Sequence, residues 1–185
     1  MIVMKFGGTS LGDAERIKQA ASIIKSKLDK KPVVVLSAVG GITDMLIEAA
    51  NNAAKGKVDL AQIREKHQTI VEELGVDPST ILELGEFEAL LQHISKYGLT
   101  LKEMDAAQSF GEKLSTKIMA DYLTRQGVSA KAFNAYDIGM RTDETFGNAE
   151  LLEESYTNLK KELSKVEELP IVTGFVAKTL GGSIT

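Results

Sequence analysis

The first 36 residues carry the pattern that most restricts the fold, because they read as a strand, a helix and a second strand. Residues 2–6 alternate between two faces, and a glycine pair then ends the strand. Residues 13–30 repeat apolar side chains at helical spacing, and Asp13 is placed to cap the helix. Residues 33–36 are continuously apolar, as in strands buried on both faces. This order predicts a βαβ unit with parallel strands and a right-handed crossover.

The remaining sequence predicts a helical insertion and then further strands. Four helical segments are predicted in the insertion. The first is capped by Thr43 or Asp44 and ends near residue 55, and the second begins with a capping box formed by Asp59 and Gln62. The third runs from Asp77 to Gly98, and the fourth, over 100–126, forms one or two helices. Strands are predicted at 128–135 and 169–177, separated by a loop at 136–149 and a helix at 150–165. The sequence therefore predicts an α/β fold, a three-layer αβα domain with a mostly parallel sheet.

The last eight residues predict a hairpin, because Gly181 and Gly182 form a turn signal between two short strands. The returning strand stops at Thr185. Since a domain rarely ends three residues into a hairpin, we expect residues 1–185 to be the amino-terminal part of a longer protein.

Composition argues against several classes of function. The 22 basic and 26 acidic residues give a net charge of -4, and the lysines are dispersed among glutamates, so we expect no nucleic-acid partner. No apolar run approaches the roughly 20 residues that span a bilayer, and no signal peptide opens the chain, so we expect no membrane partner and a cytoplasmic location. The absence of cysteine excludes disulfides and thiol catalysis. His67 and His93 are predicted to lie on helix surfaces, without a metal or triad partner.

Lys5 is the first candidate for chemistry, because it interrupts an apolar strand one residue before its end. Ligands of open α/β sheets bind outside the carboxyl ends of the strands, and Gly7 and Gly8 allow a close backbone approach. The next helix start offers free amides to an anion. These features predict a lysine that contacts phosphate, although Asp13-Ala14 stands where a Walker A loop needs Lys-Ser/Thr. The alternative is an edge-strand lysine that extends into solvent beside an ordinary turn.

Three later segments also place polar groups where strands end or helices are interrupted. The loop over 37–44 carries hydroxyls and glycines, and Thr43 either binds a carboxylate or only caps a helix. Gly111 lies within a helical pattern at a cost of roughly 1 kcal/mol, which indicates a bend or a close approach. Glu112 beside it is either a site residue or a solvent-facing one. The segment 141–143 is either a site loop or a salt-bridged turn.

Five segments in this order resemble the aspartokinases, members of the amino-acid-kinase superfamily. The matching segments are Lys5–Ser10, Ser37–Asp44, Ser109–Glu112, Arg141–Asp143 with Phe146-Gly147, and Thr173–Phe175. The resemblance covers the whole chain and implies the amino-acid-kinase (carbamate-kinase-like) fold, here truncated. The segment 179–183 departs from the family's Thr-Leu-Gly-Arg-Gly-Gly-Ser-Asp because it lacks the arginine and the aspartate. We interpret it as the preceding hairpin turn, and expect the nucleotide-binding half and regulatory domains to lie outside this chain.

The resemblance also implies the reaction and the residues that perform it. Phosphoryl transfer from ATP, with Mg²⁺, to L-aspartate would give 4-phospho-L-aspartate, the first step toward lysine, threonine and methionine. Lys5 and Ser37 would lie at the transfer centre, and Thr43 and Glu112 would hold aspartate, Glu112 through its ammonium group. The implied nucleotide-binding residues are Lys5, Phe6, Gly7, Gly8 and Gly174. We expect a homo-oligomer and an inactive fragment, the alternative being a non-catalytic module that binds aspartate or itself.

Overall fold

Four parallel strands form the central sheet of the computed structural model, which describes residues 1–185. Numbered along the chain, the strands are β1 (Ile2–Phe6), β2 (Pro32–Leu36), β3 (Ala130–Phe133), β4 (Arg141–Thr142), β5 (Leu169–Thr173) and β6 (Lys178–Thr179). The sheet order is β1-β2-β5-β3, and every neighbouring pair is parallel. Leu36 lies in register with both Phe6 and Thr173, so β1, β2 and β5 end at one common edge. The predicted parallel βαβ unit is confirmed.

Six α-helices accompany the sheet: α1 (Ala14–Lys25), α2 (Ile42–Ala53), α3 (Ala61–Leu74), α4 (Glu83–Tyr97), α5 (Leu101–Arg125) and α6 (Glu154–Leu163). The first is shorter than predicted, because a separate 3-10 turn occupies Leu28–Lys30. The segment predicted as one or two helices is the single helix α5.

The helices form two layers of unequal thickness, so the predicted three-layer αβα arrangement is confirmed. Helices α1 to α5 contribute to the main hydrophobic core, which covers one face of the sheet. On the other face, Leu159 and Leu163 of α6 pack against a small cluster that includes Val33 and Val172. Strand β1 lies at the sheet edge, and Val3 on this second face is 68% exposed.

The predicted helix start was right for α1 and wrong for α2, α3 and α4. Asp77 and Pro78 begin a separate 3-10 turn over Pro78–Ile81, and α4 starts at Glu83. Asp13 caps α1 by accepting a hydrogen bond from the Arg16 amide at 2.9 Å. Helix α2 begins earlier than predicted, because Gly41 adopts φ +79° and serves as its N-cap. The capping box at Asp59 does not form, since its carboxylate accepts from the amide two residues on, and Leu60 precedes the helix.

The ends of the later strands differ from prediction, whereas the terminal hairpin is confirmed. Strand β5 stops at Thr173, because Gly174 and then Phe175, with φ +55°, turn the chain away. Ala177 and Thr185 exchange two backbone hydrogen bonds of 2.9 and 3.1 Å. Gly182 adopts φ +85° in the turn between them, a conformation that favours glycine.

The prediction of a surface position was wrong for His67 and right for His93. His67 is 0% exposed, its Nδ1 lies 2.8 Å from the Ile63 carbonyl oxygen, and its Nε2 has no partner. Burial lowers the pKa of the imidazole. His67 shares the inward face of α3 with Ile63, Ile70 and Leu74, so the helical spacing that buries those residues buries the histidine too.

Candidate active site at the carboxyl edge of the sheet

The two glycines in the turn after β1 have different surroundings. A methyl group built on Gly8 would lie 3.1 Å from the Ala38 carbonyl oxygen, so Gly8 permits a close backbone contact with the next loop. The same construction at Gly7 meets nothing within 4 Å. The Phe6 side chain is buried in the main core, and its carbonyl accepts a hydrogen bond from the Ser37 amide at 3.0 Å. The open side of Gly7 therefore leaves backbone accessible to a ligand.

Lys5 lies on the second sheet face, opposite Val35 in register and one residue before the end of β1. The residue is exposed, and its ammonium makes neither a hydrogen bond nor an ion pair. The position of Lys5 on an edge strand agrees with a lysine that simply extends into solvent. Its unpaired ammonium at the ligand-binding edge of the sheet agrees equally with a lysine that contacts phosphate.

The loop from Ser37 to Gly41 leads from β2 into α2 and presents several unused polar groups. The hydroxyls of Ser37 and Thr43 make no hydrogen bond, and both residues are half-buried. The backbone amides of Thr43 and Asp44, in the first turn of α2, have no acceptor. Two hydroxyls and two helix-terminal amides are therefore available to a polar or anionic ligand.

Glu112 of α5 is buried beside this loop, so the solvent-facing alternative was wrong. The residue is 6% exposed, and its Oε1 accepts a hydrogen bond from the Ala38 amide at 3.2 Å. Burial raises the pKa of the Glu112 carboxyl to about 7. No lysine or arginine pairs with it. A buried carboxylate with a single amide donor retains capacity for a cationic ligand group.

Helix α5 is held against the loop by two further contacts. Ser115 Oγ donates to the Ser37 carbonyl oxygen at 2.8 Å. A methyl group on Gly111 would lie 2.5 Å from Ala38 Cβ, nearer than any real contact allows. The close approach indicated at Gly111 is therefore present, while the alternative of a helix bend is not needed, since α5 is continuous.

We expect Gly111→Ala to destabilise the chain by roughly 1–3 kcal/mol, because the methyl group must displace the Ala38 backbone or α5. Gly85→Ala in α4 is the matched control, since a methyl group there meets nothing within 4 Å. That control should stabilise the helix by up to about 1 kcal/mol. Urea unfolding of the three proteins tests the difference, and equal stability of Gly111→Ala and the parent would contradict the contact.

The end of β5 completes this edge. The Gly174 amide donates to the Leu36 carbonyl oxygen at 2.8 Å, and a methyl group on Gly174 would lie 3.0 Å from that oxygen. Phe175 follows at φ +55° and is 88% exposed. Phe175 belongs to the matching segment Thr173–Phe175, but the resemblance assigned it no role.

The segment at Arg141 has a structural role, but it is not the salt-bridged turn considered above. The Arg141 guanidinium donates to the carbonyl oxygens of Tyr136 and Met140 at 2.6 and 2.9 Å and makes no ion pair. Asp143 accepts from the amides of Thr145 and Glu150 at 3.2 and 3.1 Å. Hydrogen bonds between these two side chains and the backbone therefore stabilise this loop.

Two further properties concern metal ions and membranes. No group of three or more histidine, cysteine, aspartate or glutamate side chains is arranged to hold a metal ion. None of the helices is both long enough and apolar enough to span a membrane.

Comparison with known proteins assigns this arrangement to a family. The sequence profile described as "Amino acid kinase family" matches residues 1–185. The chain is 42% identical to Aspartokinase 1, chloroplastic, of Arabidopsis thaliana, over 95% of this chain and 33% of that protein. It also resembles the crystal structure of E. coli aspartokinase III in complex with aspartate and ADP, with a TM-score of 0.77 and 27% identity over 100% of this chain and 43% of that one. The structure of Clostridium acetobutylicum aspartate kinase gives a TM-score of 0.78 and 25% identity over 100% and 41%. The chain therefore spans about a third of the curated relative and belongs to the amino acid kinase family.

Proposed function

We propose that the chain is the amino-terminal, substrate-side part of an aspartokinase, which phosphorylates the side-chain carboxylate of L-aspartate with ATP. The observation that carries this proposal is the buried Glu112 carboxylate, which has no cationic partner and accepts a hydrogen bond from the loop that leads to the unused hydroxyls and amides. Such a site suits a small zwitterion. The solved E. coli relative, which binds aspartate and ADP, supports the choice of ligands.

In this proposal Glu112 holds the ammonium group of aspartate, and the first turn of α2 holds a carboxylate. The Thr43 hydroxyl and the free amides of Thr43 and Asp44 are suited to an anion, because the helix dipole places positive charge there. The hydrogen bond from the Ala38 amide fixes one Glu112 oxygen and leaves capacity for the substrate.

Phosphoryl transfer would occur outside the carboxyl edge of the sheet, where β1, β2 and β5 end. A substrate carboxylate oxygen bonds to the γ-phosphorus of ATP while the bond to the β,γ-bridging oxygen breaks, so ADP leaves and 4-phospho-L-aspartate forms. The carboxylate is already ionised at pH 7, so no general base is required. Lys5 would stabilise charge on the phosphoryl group, with Ser37 nearby and Gly7, Gly8 and Gly174 lining the nucleotide.

The proposal also includes a magnesium ion, a cellular location and an oligomeric state for the whole protein. In this proposal Mg²⁺ enters with the nucleotide and is held mainly by its phosphate oxygens, with one or two carboxylates completing the set. A cytoplasmic homo-oligomer remains our expectation for the whole protein, although the Arabidopsis relatives are named chloroplastic.

A self-associating module is the second candidate, and one observation favours it. Strand β1 has an unpaired outer edge, and Val3 within this strand is 68% exposed. Edges of this kind pair with other chains. Only the kinase candidate predicts aspartate-dependent activity, so an activity measurement distinguishes the two.

The test uses a chimeric kinase in which residues 1–185 replace the matching third of Arabidopsis aspartokinase 1. We expect Glu112→Gln to raise KM for aspartate by about 10- to 100-fold, because a charged hydrogen bond to the ammonium group is lost. KM for ATP should stay within about threefold by the same reasoning. Glu88→Gln is the matched control, since Glu88 pairs with Arg64 on the helical insertion. Equal effects on both Michaelis constants would show that Glu112 is structural.

The same variant provides a pH test. Because burial raises the Glu112 pKa to about 7, the carboxyl is mostly protonated at pH 6 and mostly ionised at pH 8. Only the ionised form attracts an ammonium group, so KM for aspartate should fall about tenfold between these values. In Glu112→Gln this dependence should disappear. A parent profile that is flat from pH 6 to 8 would argue against the assignment.

A further inference from the structure

Lys66 of α3 contacts the loop between β2 and α2. Its Nζ donates a hydrogen bond to the Gly40 carbonyl oxygen at 2.6 Å. A methyl group on Gly41 would lie 3.9 Å from the same nitrogen, so the ammonium lies beside both glycines. Lys66 is half-buried and forms no ion pair, although Asp13, Glu65 and Glu73 line the same surface pocket.

This hydrogen bond holds the half of the loop that α5 does not reach. Helix α5 fixes Ser37 and Ala38 through Ser115 and Glu112. No other side chain hydrogen-bonds to the backbone of residues 39–41. Gly40 also contacts Gly8, whose carbonyl oxygen lies 3.0 Å from a methyl group built on Gly40. The loop is therefore clamped between α3 and the turn after β1.

The position of Lys66 also has an electrostatic consequence. Its ammonium lies beside the N-cap of α2, where the helix dipole already places positive charge. An unpaired cation there disfavours the helix start when the site is empty and favours any anion that binds. The free amides of Thr43 and Asp44 occupy the same turn.

We propose that Lys66 is a positioning residue of the aspartate site. It fixes the Gly40 carbonyl, and thereby the start of α2, so that Thr43 and the free amides meet the substrate carboxylate. Its charge strengthens the attraction for that carboxylate. The inference rests on the function proposed above and adds a residue from the helical insertion to the site.

The kinetic test compares Lys66→Met, Lys66→Gln and Lys66→Arg in the chimeric kinase. We expect Lys66→Met to raise KM for aspartate about tenfold, with KM for ATP within about threefold, because one charge-assisted hydrogen bond is lost. Lys66→Arg retains donor and charge and should stay within about threefold of the parent on both constants. Lys66→Gln keeps a donor without charge and should fall between them. Arg64→Met is the control, since Arg64 is a half-buried cation of α3 that pairs with Glu88.

Amide hydrogen exchange on the 185-residue chain tests the clamp without any activity. The amides of Ile42 and Met45 are hydrogen-bonded to Val39 and Gly41, so they report opening of this loop. We expect both to exchange about tenfold faster in Lys66→Met, and to stay at the parent rate in Lys66→Arg and Arg64→Met. Unchanged exchange in Lys66→Met would overturn the inference, as would equal kinetics of the methionine and arginine variants. An inactive parent chimera with faster exchange in Lys66→Met would instead count against the proposed function and retain the clamp.

Discussion

Replacing Lys5 with alanine is expected to lower kcat of the chimeric kinase by about 100- to 1000-fold, because one preorganised charge-stabilising donor contributes roughly 3–4 kcal/mol. The fold should be unaffected, since the Lys5 side chain is exposed and its ammonium makes no hydrogen bond or ion pair. Initial rates at saturating aspartate and ATP measure the loss, and urea unfolding of the same protein measures stability.

Lys131→Ala is the matched control for this experiment. Lys131 is also an exposed lysine on an edge strand, but it lies on β3 near the amino end, away from the ligand-binding edge. Its removal should leave kcat within about twofold, as for other surface changes away from a site. Near-parental kcat in Lys5→Ala would return Lys5 to the alternative of an ordinary edge-strand lysine.

The 185-residue chain alone is expected to show no aspartate-dependent ADP formation. It spans about a third of the length of the Arabidopsis relative. Phosphoryl transfer depends on positioning and neutralising the phosphates, which Lys5 cannot do alone. An ADP-release assay of the chain beside the chimeric kinase, at equal concentration, measures the difference.

Turnover by the isolated chain would mean that the nucleotide site is misplaced in our proposal. Calorimetric titration of the same chain with aspartate separates the remaining possibilities. Aspartate binding without turnover agrees with a substrate-side part, whereas concentration-dependent association without binding favours the self-associating module.

Local sequence patterns predicted the sheet well, because its strands are marked by short-range features. The alternation over β1 and the apolar run of β2 each follow from one periodicity, and both strands lie where predicted. The need for glycine at Gly111 was also visible, since a helix-disfavouring residue within a strong helix indicates a close contact. Helix starts were less predictable. Gly41, with φ +79°, begins α2 before the better capping residue Thr43, because the backbone turn outweighs side-chain capping preference.

Burial of polar groups was the main property that the sequence did not reveal. Glu112 is the clearest case, because α5 buries residues around much of its circumference, so its periodicity does not separate inward from outward positions. The burial of His67 was predictable in principle, since His67 follows the helical spacing of the buried Ile63 and Ile70. The contact from Lys66 to Gly40 joins residues 26 positions apart on different elements. A single sequence contains no record of such contacts, so the positioning of the candidate site emerges only from the fold.

The backbone contact between Gly8 and Gly40 has a mechanical consequence. Neither residue has a side chain that could act as a spacer, so the turn after β1 and the loop before α2 pack backbone against backbone, with little room to shift relative to each other. In the proposed function these two segments bind the two substrates, so their relative placement is largely set when the chain folds, and less ordering entropy is lost when the substrates meet. Any closing movement during turnover would then have to come from elements outside this pair.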